Sequence, residues 1–523
     1  MRILQVTPRF WPAVGGAEEL LGQLSRHLVA DGHQVTILTT NARGADLIWN
    51  CRGSALEGAD DVIDGIQVRR FPIRHLPGSP LSYSAMRRLL WIMSRLNWLP
   101  TRYLASLSRY TPWVPDLQRW LAQDEQPVDL VMGMNIAFES LMHSAAAFAG
   151  RRRVPFAAFP LTHLGISAVP GNDSLSSFYT MRHQIELVSN SDLLLAMTPT
   201  ESAFYEAHGL PAERAAVVGS AIDPAELSGG DAQRFRAQHR LTQPFAFSIG
   251  TACFDKGSLY TLKAMRKLWQ QGRSYHLVLA GATMPDMQRA LQHLPRSERQ
   301  NVHALGIISA QEKADLLAAG DLLVMPSRTE SFGTVYLEAW HYGKPVIGAR
   351  AWGVQDVVTH EYNGLLVHFG NIDALAHSIN RLLSQPTHAR IQLVGTAIAA
   401  RQQIERVLKL AGCFFEGARH DVALRQEPFE FVHPPLGQLD AQRRLTVIGS
   451  QHQPGAFDRT LDRIERVAGQ GVYRSAHRPS HEAQQHQRDH RRVAQQAQRR
   501  LPGGARGDGG RCGPVGVQGG GFR

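Results

Sequence analysis

Short apolar runs recur through most of the chain, each followed by a turn rich in Gly, Pro or Ser and then by a stretch with helical spacing. Residues 2–7 (RILQVT) predict a first strand. The loop PRFWPAVGGAEE follows, and Leu20, Leu24 and Leu28 then fall four apart on one face of a helix that ends at Asp31-Gly32-His33. Residues 34–40 predict the second strand. The alternation resumes with strands at 128–134, 155–160, 193–197 and 215–218 and helices at 137–149, 178–188 and 200–208. Residues 219–243 lack sustained periodicity and read as a hinge. A second series follows, with strands at 245–249, 276–280, 302–305, 322–325, 345–347 and 364–367 and helices at 259–271, 310–319 and 372–383. Strands alternating with helices predict an α/β fold with parallel sheets. The organisation expected is two doubly wound, Rossmann-like domains, 1–222 and 223–386, facing each other across a cleft lined by the carboxyl ends of their strands.

Two stretches break the alternation. Residues 84–121 combine leucines and four Trp with six Arg and no acid until Asp116. This pattern suits an interfacial amphipathic helix pair interrupted at Pro100, against the plainer reading of a helical hairpin packing its Trp face on the domain. Residues 387–523 predict one more helix at 396–410. The chain then drifts into Arg, Gln, His and Gly with no Lys after Lys409, a composition that cannot bury a core and is expected to be disordered. The abrupt loss of Lys fits an unselected extension better than a nucleic-acid-binding tail.

With 523 residues there is room for two or three domains, and 43% hydrophobic with 19% charged residues is the balance of a soluble globular protein. The net charge of +11 is unevenly placed. Residues 451–523 hold 13 Arg against six acids, a net +7, which leaves +4 for the body of the chain. That modest excess suits anionic small molecules or a membrane surface and does not call for nucleic acid. Cys51, Cys253, Cys413 and Cys512 are scattered, which argues against a zinc cluster or a disulfide framework and for a reducing compartment. The opening MRILQVTPRFWP turns polar too soon for a secretory leader, and no apolar run reaches about 18 residues. A cytoplasmic location is expected, with residues 84–121 as a contact to the inner face of the membrane.

The chemistry concentrates in DLLVMPSRTESFGTVYLEAWHYGKPVIGA, residues 321–349. It reads as strand, loop, helix and strand, so Gly333 and Thr334 fall at a helix N-terminus, whose unpaired amides suit a phosphate. Glu330 and Glu338 bracket that point too far apart to serve one proton transfer at one atom. Each could instead accept hydrogen bonds from a separate pair of hydroxyls, with phosphates between them. Lys256-Gly257 opens another predicted helix, where a Lys can reach a diphosphate. Gly15 and Gly16 lie at the first strand-to-helix turn, where backbone approaches a ligand, but without the full G-x-G-x-x-G of a nicotinamide site. His163 lies just past the strand at 155–160.

Together PAVGGAEE, LTHLG, ACFDKG and ESFGTVYLE resemble the retaining glycosyltransferases of family 4, of GT-B architecture, over roughly residues 1–385. The resemblance implies that Glu338 binds the ribose of a nucleotide sugar and Glu330 the transferred sugar. It implies that Lys256, with the amides of Gly333 and Thr334, stabilises the departing diphosphate. Gly15 and Gly16 approach the same diphosphate from the opposite domain, His163 touches a sugar hydroxyl, and Phe332 lies within the donor-binding motif. The donor is then a substrate, UDP- or GDP-linked, the acceptor a glycan or a lipid-linked molecule, and neither metal nor cofactor is required. One departure stands out: Thr251 occupies the place of an Arg that often accompanies the Lys, with Arg328 a replacement by position. A nucleotide-sugar epimerase of similar fold, and a catalytically impaired nucleotide-sugar-binding protein, are the competing readings.

Overall fold

In each of two sheets the chain leaves a central strand in one direction, returns beside it, and builds outward the other way. The computed structural model describes residues 1–58 and 60–384. The first sheet contains β1 (Arg2–Val6), β2 (Gln34–Thr40), β3 (Asp60–Ile63), β4 (Ile66–Phe71), β5 (Leu130–Met134), β6 (Phe156–Phe159), β7 (Leu193–Ala196) and β8 (Ala215–Val217). Their order is β3-β4-β2-β1-β5-β6-β7-β8, and only β3 with β4 pairs antiparallel. The second sheet contains β9 (Phe245–Ile249), β10 (His276–Ala280), β11 (Val302–Gly306), β12 (Leu322–Met325), β13 (Val346–Ala349) and β14 (Leu365–Val367). It is wholly parallel, in the order β11-β10-β9-β12-β13-β14. Strands such as β6, β7, β12 and β13 are buried along their full length because helices cover both faces, which is why they read as unbroken apolar runs.

The order of strands reverses between β1 and β5 in one sheet and between β9 and β12 in the other. Loops leaving the carboxyl ends of strands on the two sides of such a reversal splay apart and open a crevice. The loops after β1, β9 and β12 carry Gly15-Gly16, Lys256 and Glu330, so the residues singled out from the sequence lie where a doubly wound sheet offers a ligand its place.

Side chains tie the two sheets' domains together. Ser220 Oγ lies 2.7 Å from Thr334 Oγ1, the Thr200 hydroxyl donates to Asp356 at 2.9 Å, and the Trp352 indole donates to the Ser167 carbonyl at 2.7 Å. Arg26 pairs with Glu226 at 2.7 Å.

Three departures from the sequence reading have local causes. The hairpin β3–β4 was not expected, and Asp60 and Asp61 lie on its edge strand, where Asp60 pairs with Arg69 and Asp61 with Arg70. An exposed edge strand with acids outward has no apolar rhythm to detect. The stretch read as a hinge contains a helix, Ala232–His239, capped by the Asp231 carboxylate, which accepts from the amides of Gln233 and Arg234. Only Phe235 of it is fully buried, and Arg234 and Arg236 hold it to Asp315 and Asp321. Residues 84–121 form parts of three helices, Leu81–Ser94, Thr101–Ser108 and Pro115–Gln123, with Pro100 preceding the second. The helix predicted at 396–410 and the tail expected to be disordered lie outside the described residues. Among the described residues no helix is long and apolar enough to cross a membrane.

Candidate active site

Gly257 has φ +76°, and a Cβ there would overlap the Pro326 carbonyl and fall 2.7 Å from the Pro326 ring. A residue without a side chain is what lets the loops after β9 and β12 touch. Once they touch, Lys256 Nζ donates to Glu330 Oε2 at 2.7 Å and to the Thr329 carbonyl at 3.1 Å. The Arg328 amide donates to the Asp255 carbonyl at 3.0 Å, and its guanidinium pairs with the Asp255 carboxylate at 2.7 Å. That guanidinium also lies over the rings of Phe254 and Phe369, 4.8 and 5.6 Å from their centroids. Arg328 is thus part of the clasp that sets Lys256 beside Glu330. Thr251 is exposed at the start of the same loop.

The helix Thr334–His341 begins at Gly333, whose φ of +91° and whose approach to the Tyr336 ring, 2.6 Å from a Cβ placed there, both exclude a side chain. Its first amides have no partner within the helix and carry the positive end of the dipole. The Thr334 hydroxyl is engaged by Ser220. Phe332 is 2% exposed and packs in the core, so its side chain belongs to the scaffold rather than to a ligand surface. Glu338 sits farther along the helix, mostly buried, and accepts from Lys313 Nζ at 2.6 Å. Each of the two glutamates therefore holds one lysine. Lys313, from the helix Ala310–Ala319, drew no attention in the sequence because nothing in its spacing relates it to Glu338.

His163 projects from the loop after β6. That loop is fixed by Glu201, a buried carboxylate that accepts from the amides of Thr162 at 2.6 Å and Met197 at 2.7 Å, tying the ends of β6 and β7 together. The His163 ring stacks on Tyr179, centroids 4.7 Å apart, and its Nδ1 is sealed from solvent with no hydrogen-bond partner among the described residues. Burial, then the Lys256 ammonium, lowers the imidazole to about 4, against the opposite pull of Glu330 and Asp255. The ring is neutral at pH 7, and the charges that act on it come from the other domain. Lys256 and Glu330 are thus paired directly, and their charges act on His163 from across the cleft.

At the first turn of the helix Gly16–Ala30, Arg9 pairs with Glu18 at 2.6 Å. Burial raises the Glu18 carboxyl while Arg9 lowers it. A Cβ on Gly15 would overlap the Glu18 carboxylate, whereas Gly16 faces open space. A side chain at Gly15 would thus have to displace the Glu18 carboxylate from Arg9, and Gly16 leaves the amide end of the helix open. Among the described residues no group of three or more His, Cys, Asp or Glu is placed to hold a metal ion.

Residues 15–221 match the model of the glycosyl transferase 4-like domain, and residues 230–395 that of the glycosyl transferases group 1. An uncharacterized glycosyltransferase of Methanocaldococcus jannaschii is 29% identical over 213 residues, covering 39% of this chain and 54% of that protein. An alpha-D-kanosaminyltransferase of Streptomyces kanamyceticus is 27% identical over 183 residues, 34% of this chain and 47% of that protein, so these two matches span about half of each relative. A D-inositol 3-phosphate glycosyltransferase of Xylanimonas cellulosilytica is 26% identical over 408 residues, 74% of this chain and 88% of that protein. Among solved structures, HepE of Anabaena in complex with UDP and glucose superposes with a TM-score of 0.55 at 19% identity, over 79% of this chain and 99% of its own. The two doubly wound sheets are thus the two halves of a GT-B fold.

Proposed function

The chain belongs to the glycosyl transferases group 1 family, and on that premise we propose that it transfers a hexose-type sugar from a nucleoside diphosphate donor to a glycan or lipid-linked acceptor. Retention of anomeric configuration and a metal-independent reaction are part of the proposal. The observation that carries it is the Lys256–Glu330 pair, formed between the loops after β9 and β12 at the carboxyl ends of their strands.

The reaction breaks the bond between the anomeric carbon and the diphosphate, and negative charge grows on the leaving oxygen. Lys256 and the helix-start amides of Gly333 and Thr334 are fixed donors of positive charge for that oxygen, already oriented before reaction. Glu330, beside Lys256, accepts from hydroxyls of the transferred sugar. Glu338, farther along the same helix, accepts from the ribose. Neutral His163 offers a hydrogen bond to a sugar hydroxyl from the opposite wall. The uncovered helix start at Gly16 faces the diphosphate from the first domain. The base is uridine or guanosine in this reading: HepE is solved with UDP, and a GDP-mannose-dependent mannosyltransferase of Corynebacterium glutamicum is 31% identical over 157 residues, 29% of this chain and 39% of that protein.

Thermal unfolding with UDP, GDP and ADP and their sugar conjugates tests the reading. A ligand near 100 times its dissociation constant adds about 2.7 kcal/mol to the native state. A raised midpoint with one nucleotide, lost in Glu338→Ala, is the expected result. No shift with any of them refutes a working donor site and points to the exposed Thr251 as a disabling change. Turnover of a nucleotide sugar to its epimer without acceptor would replace transfer by epimerisation.

A further inference from the structure

The helix Leu81–Ser94 buries Leu90 and packs Met86, Trp91 and Met93 inward, yet it also turns an arginine inward and a second apolar stripe outward. Its inward stripe, four and three residues apart, is Tyr83, Arg87, Leu90 and Ser94, and its outward stripe is Leu81, Ala85, Arg88 and Ile92, flanked by Leu89. Arg87 points into the domain, where its guanidinium forms hydrogen bonds with both oxygens of the fully buried Glu139, at 2.6 and 2.8 Å. His183 and Gln184 complete the shell of that carboxylate at 3.1 Å. Large apolar side chains meanwhile face outward: Leu81 is 79% exposed, Ile92 48% and, in the turn that follows, Trp98 77%, with Leu89, Leu96 and Tyr103 also exposed. Trp91 does pack on the domain, stacked on Phe178 with its indole donating to Ser177.

The segment that carries this face is charged with one sign, and two acids outside it, Glu186 and Asp192, line a pocket together with Arg102. Residues 65–115 contain eight Arg and no Asp or Glu. Arg88, Arg95, Arg102 and Arg109 are exposed and form no ion pair among the described residues, while Arg95, Arg102 and Arg109 lie over the rings of Trp91, Tyr103 and Tyr110. A helix that buries the Arg87 guanidinium while exposing Leu81, Leu89 and Ile92 is costly against water. It is suited to a phase apolar at depth and anionic at its surface.

We propose that the face formed by the helix Leu81–Ser94 and residues 95–103 lies on an anionic lipid bilayer, with Leu81, Leu89, Ile92 and Trp98 entering the headgroup boundary and the unpaired arginines contacting lipid phosphates. A second copy of the chain is a poor occupant, because a two-fold contact would press the unpaired arginines of one face against those of the other. Nucleic acid has no use for the exposed Leu and Ile side chains. The face is wired to the cleft: Arg87 Nη2 donates to the Phe178 carbonyl, and the next residue, Tyr179, stacks on His163. The bilayer would present a lipid-linked acceptor from this side. That last step rests on the sugar-transfer reading, whereas the docking does not.

The test is flotation of the full chain with vesicles of phosphatidylcholine alone and of equal parts phosphatidylcholine and phosphatidylglycerol, without donor or acceptor. Binding is expected only to the anionic vesicles. Leu89→Ser, Ile92→Ser and Trp98→Ser combined, all at exposed positions, should keep the thermal midpoint and weaken vesicle binding about tenfold or more. Arg88→Gln with Arg95→Gln should weaken it and flatten its salt dependence. The Arg-rich segment after residue 450 is present in every variant, so a difference between them belongs to this face. Unchanged binding of the Ser variant overturns the proposal, as does failure of the wild type to float, binding of an oligonucleotide in place of vesicles, or a concentration-dependent dimer that the Ser substitutions abolish. Because no donor is present, nucleotide-shift results succeed or fail independently of these.

Discussion

Replacing Lys256 by Ala separates a structural from a catalytic role for the cleft lysine. The Lys256–Glu330 pair is 2.7 Å long. At an effective dielectric of about 20 its gross attraction is about 6 kcal/mol. Its side chains keep 26% and 16% of their exposure, so desolvation and screening cancel most of that attraction. About 1 kcal/mol remains for the fold. The substitution should therefore leave the protein folded, with a midpoint lowered by no more than a few degrees, about 2–4 °C per kcal/mol for a domain of this class. Catalysis should respond far more. A preorganised positive group facing a developing anion contributes roughly a hundredfold to a thousandfold in rate, about 2.7–4 kcal/mol. The assay is release of nucleoside diphosphate from the matched nucleotide sugar in water, which needs no acceptor, together with calorimetric titration of the diphosphate and of the bare nucleoside. Turnover should fall at least about a hundredfold and diphosphate affinity should drop while nucleoside affinity holds. Undiminished turnover would refute the assignment. Equal loss of diphosphate and nucleoside binding would show instead that the clasp between the two loops had collapsed.

Glu139→Ala leaves the Arg87 guanidinium buried without its carboxylate and should cost about 3–5 kcal/mol, seen as a lower urea midpoint; a change within error would mean that Arg87 swings out to solvent. Gly333→Ala forces a side chain into φ +91° against the Tyr336 ring and should lower stability by about 1–3 kcal/mol while weakening diphosphate binding, and an unaltered nucleotide-induced shift would contradict the role given to that helix start. His143 and His163 are both lowered by burial to about 4. Below the ordinary histidine value near 6.5 the unfolded chain binds protons that the native rings refuse, so stability should fall as pH drops from about 6.5 to 4. The paired carboxylate Glu139, which burial would raise but which Arg87 and His183 bring down to about 2, loses its contribution only at lower pH. Thermal midpoints across that range should slope, and His143→Gln should reduce the slope; an identical slope in the variant would show that other groups set it.

How far the sequence disclosed this site depends on whether the partners were neighbours in the chain. Gly15, Gly16, Lys256 and Glu330 stand out in the sequence because each sits at a strand-to-helix junction, where the chemistry is local, and Glu338 because it follows within the helix that one of these junctions opens. Every strand of the second sheet was found to within two residues at either end because strands covered on both faces are continuous apolar runs. The lysine partners were not legible as partners. Lys256 and Glu330 are 74 residues apart, and Lys313 and Glu338 are 25 apart. Phe332 was read as a donor contact because it lies inside the motif, yet adjacent loop residues point different ways, and this one fills the core. The edge hairpin β3–β4 and the helix Ala232–His239 escaped notice because each buries too little to leave a rhythm, although the Asp231 cap was present as a signal.

Residues 84–121 show most clearly where composition stops. Arg87 and Arg88 are adjacent and chemically identical, but about 100° apart around a helix. Either of the two stripes, Tyr83-Arg87-Leu90-Ser94 or Leu81-Ala85-Arg88-Ile92, could be the buried one, since each mixes one arginine with apolar or small residues. A helical hairpin packing its Trp face inward accounts for Trp91, but not for Trp98, which stands 77% exposed. The choice of face is made by Glu139, which lies 52 residues from Arg87 and is fully buried at the start of its own helix. A carboxylate committed to the interior demands a cation. The geometry that brings Arg87 to it leaves Leu81, Leu89 and Ile92 no place but the surface. The exposed apolar face is thus the direct counterpart of a buried ion pair, and removing the pair through Arg87→Met with Glu139→Leu should release the constraint on the helix. If that double variant stays folded and still floats with anionic vesicles, the outward stripe alone carries the docking. If it folds but no longer floats, the buried pair is what holds the docking face in register.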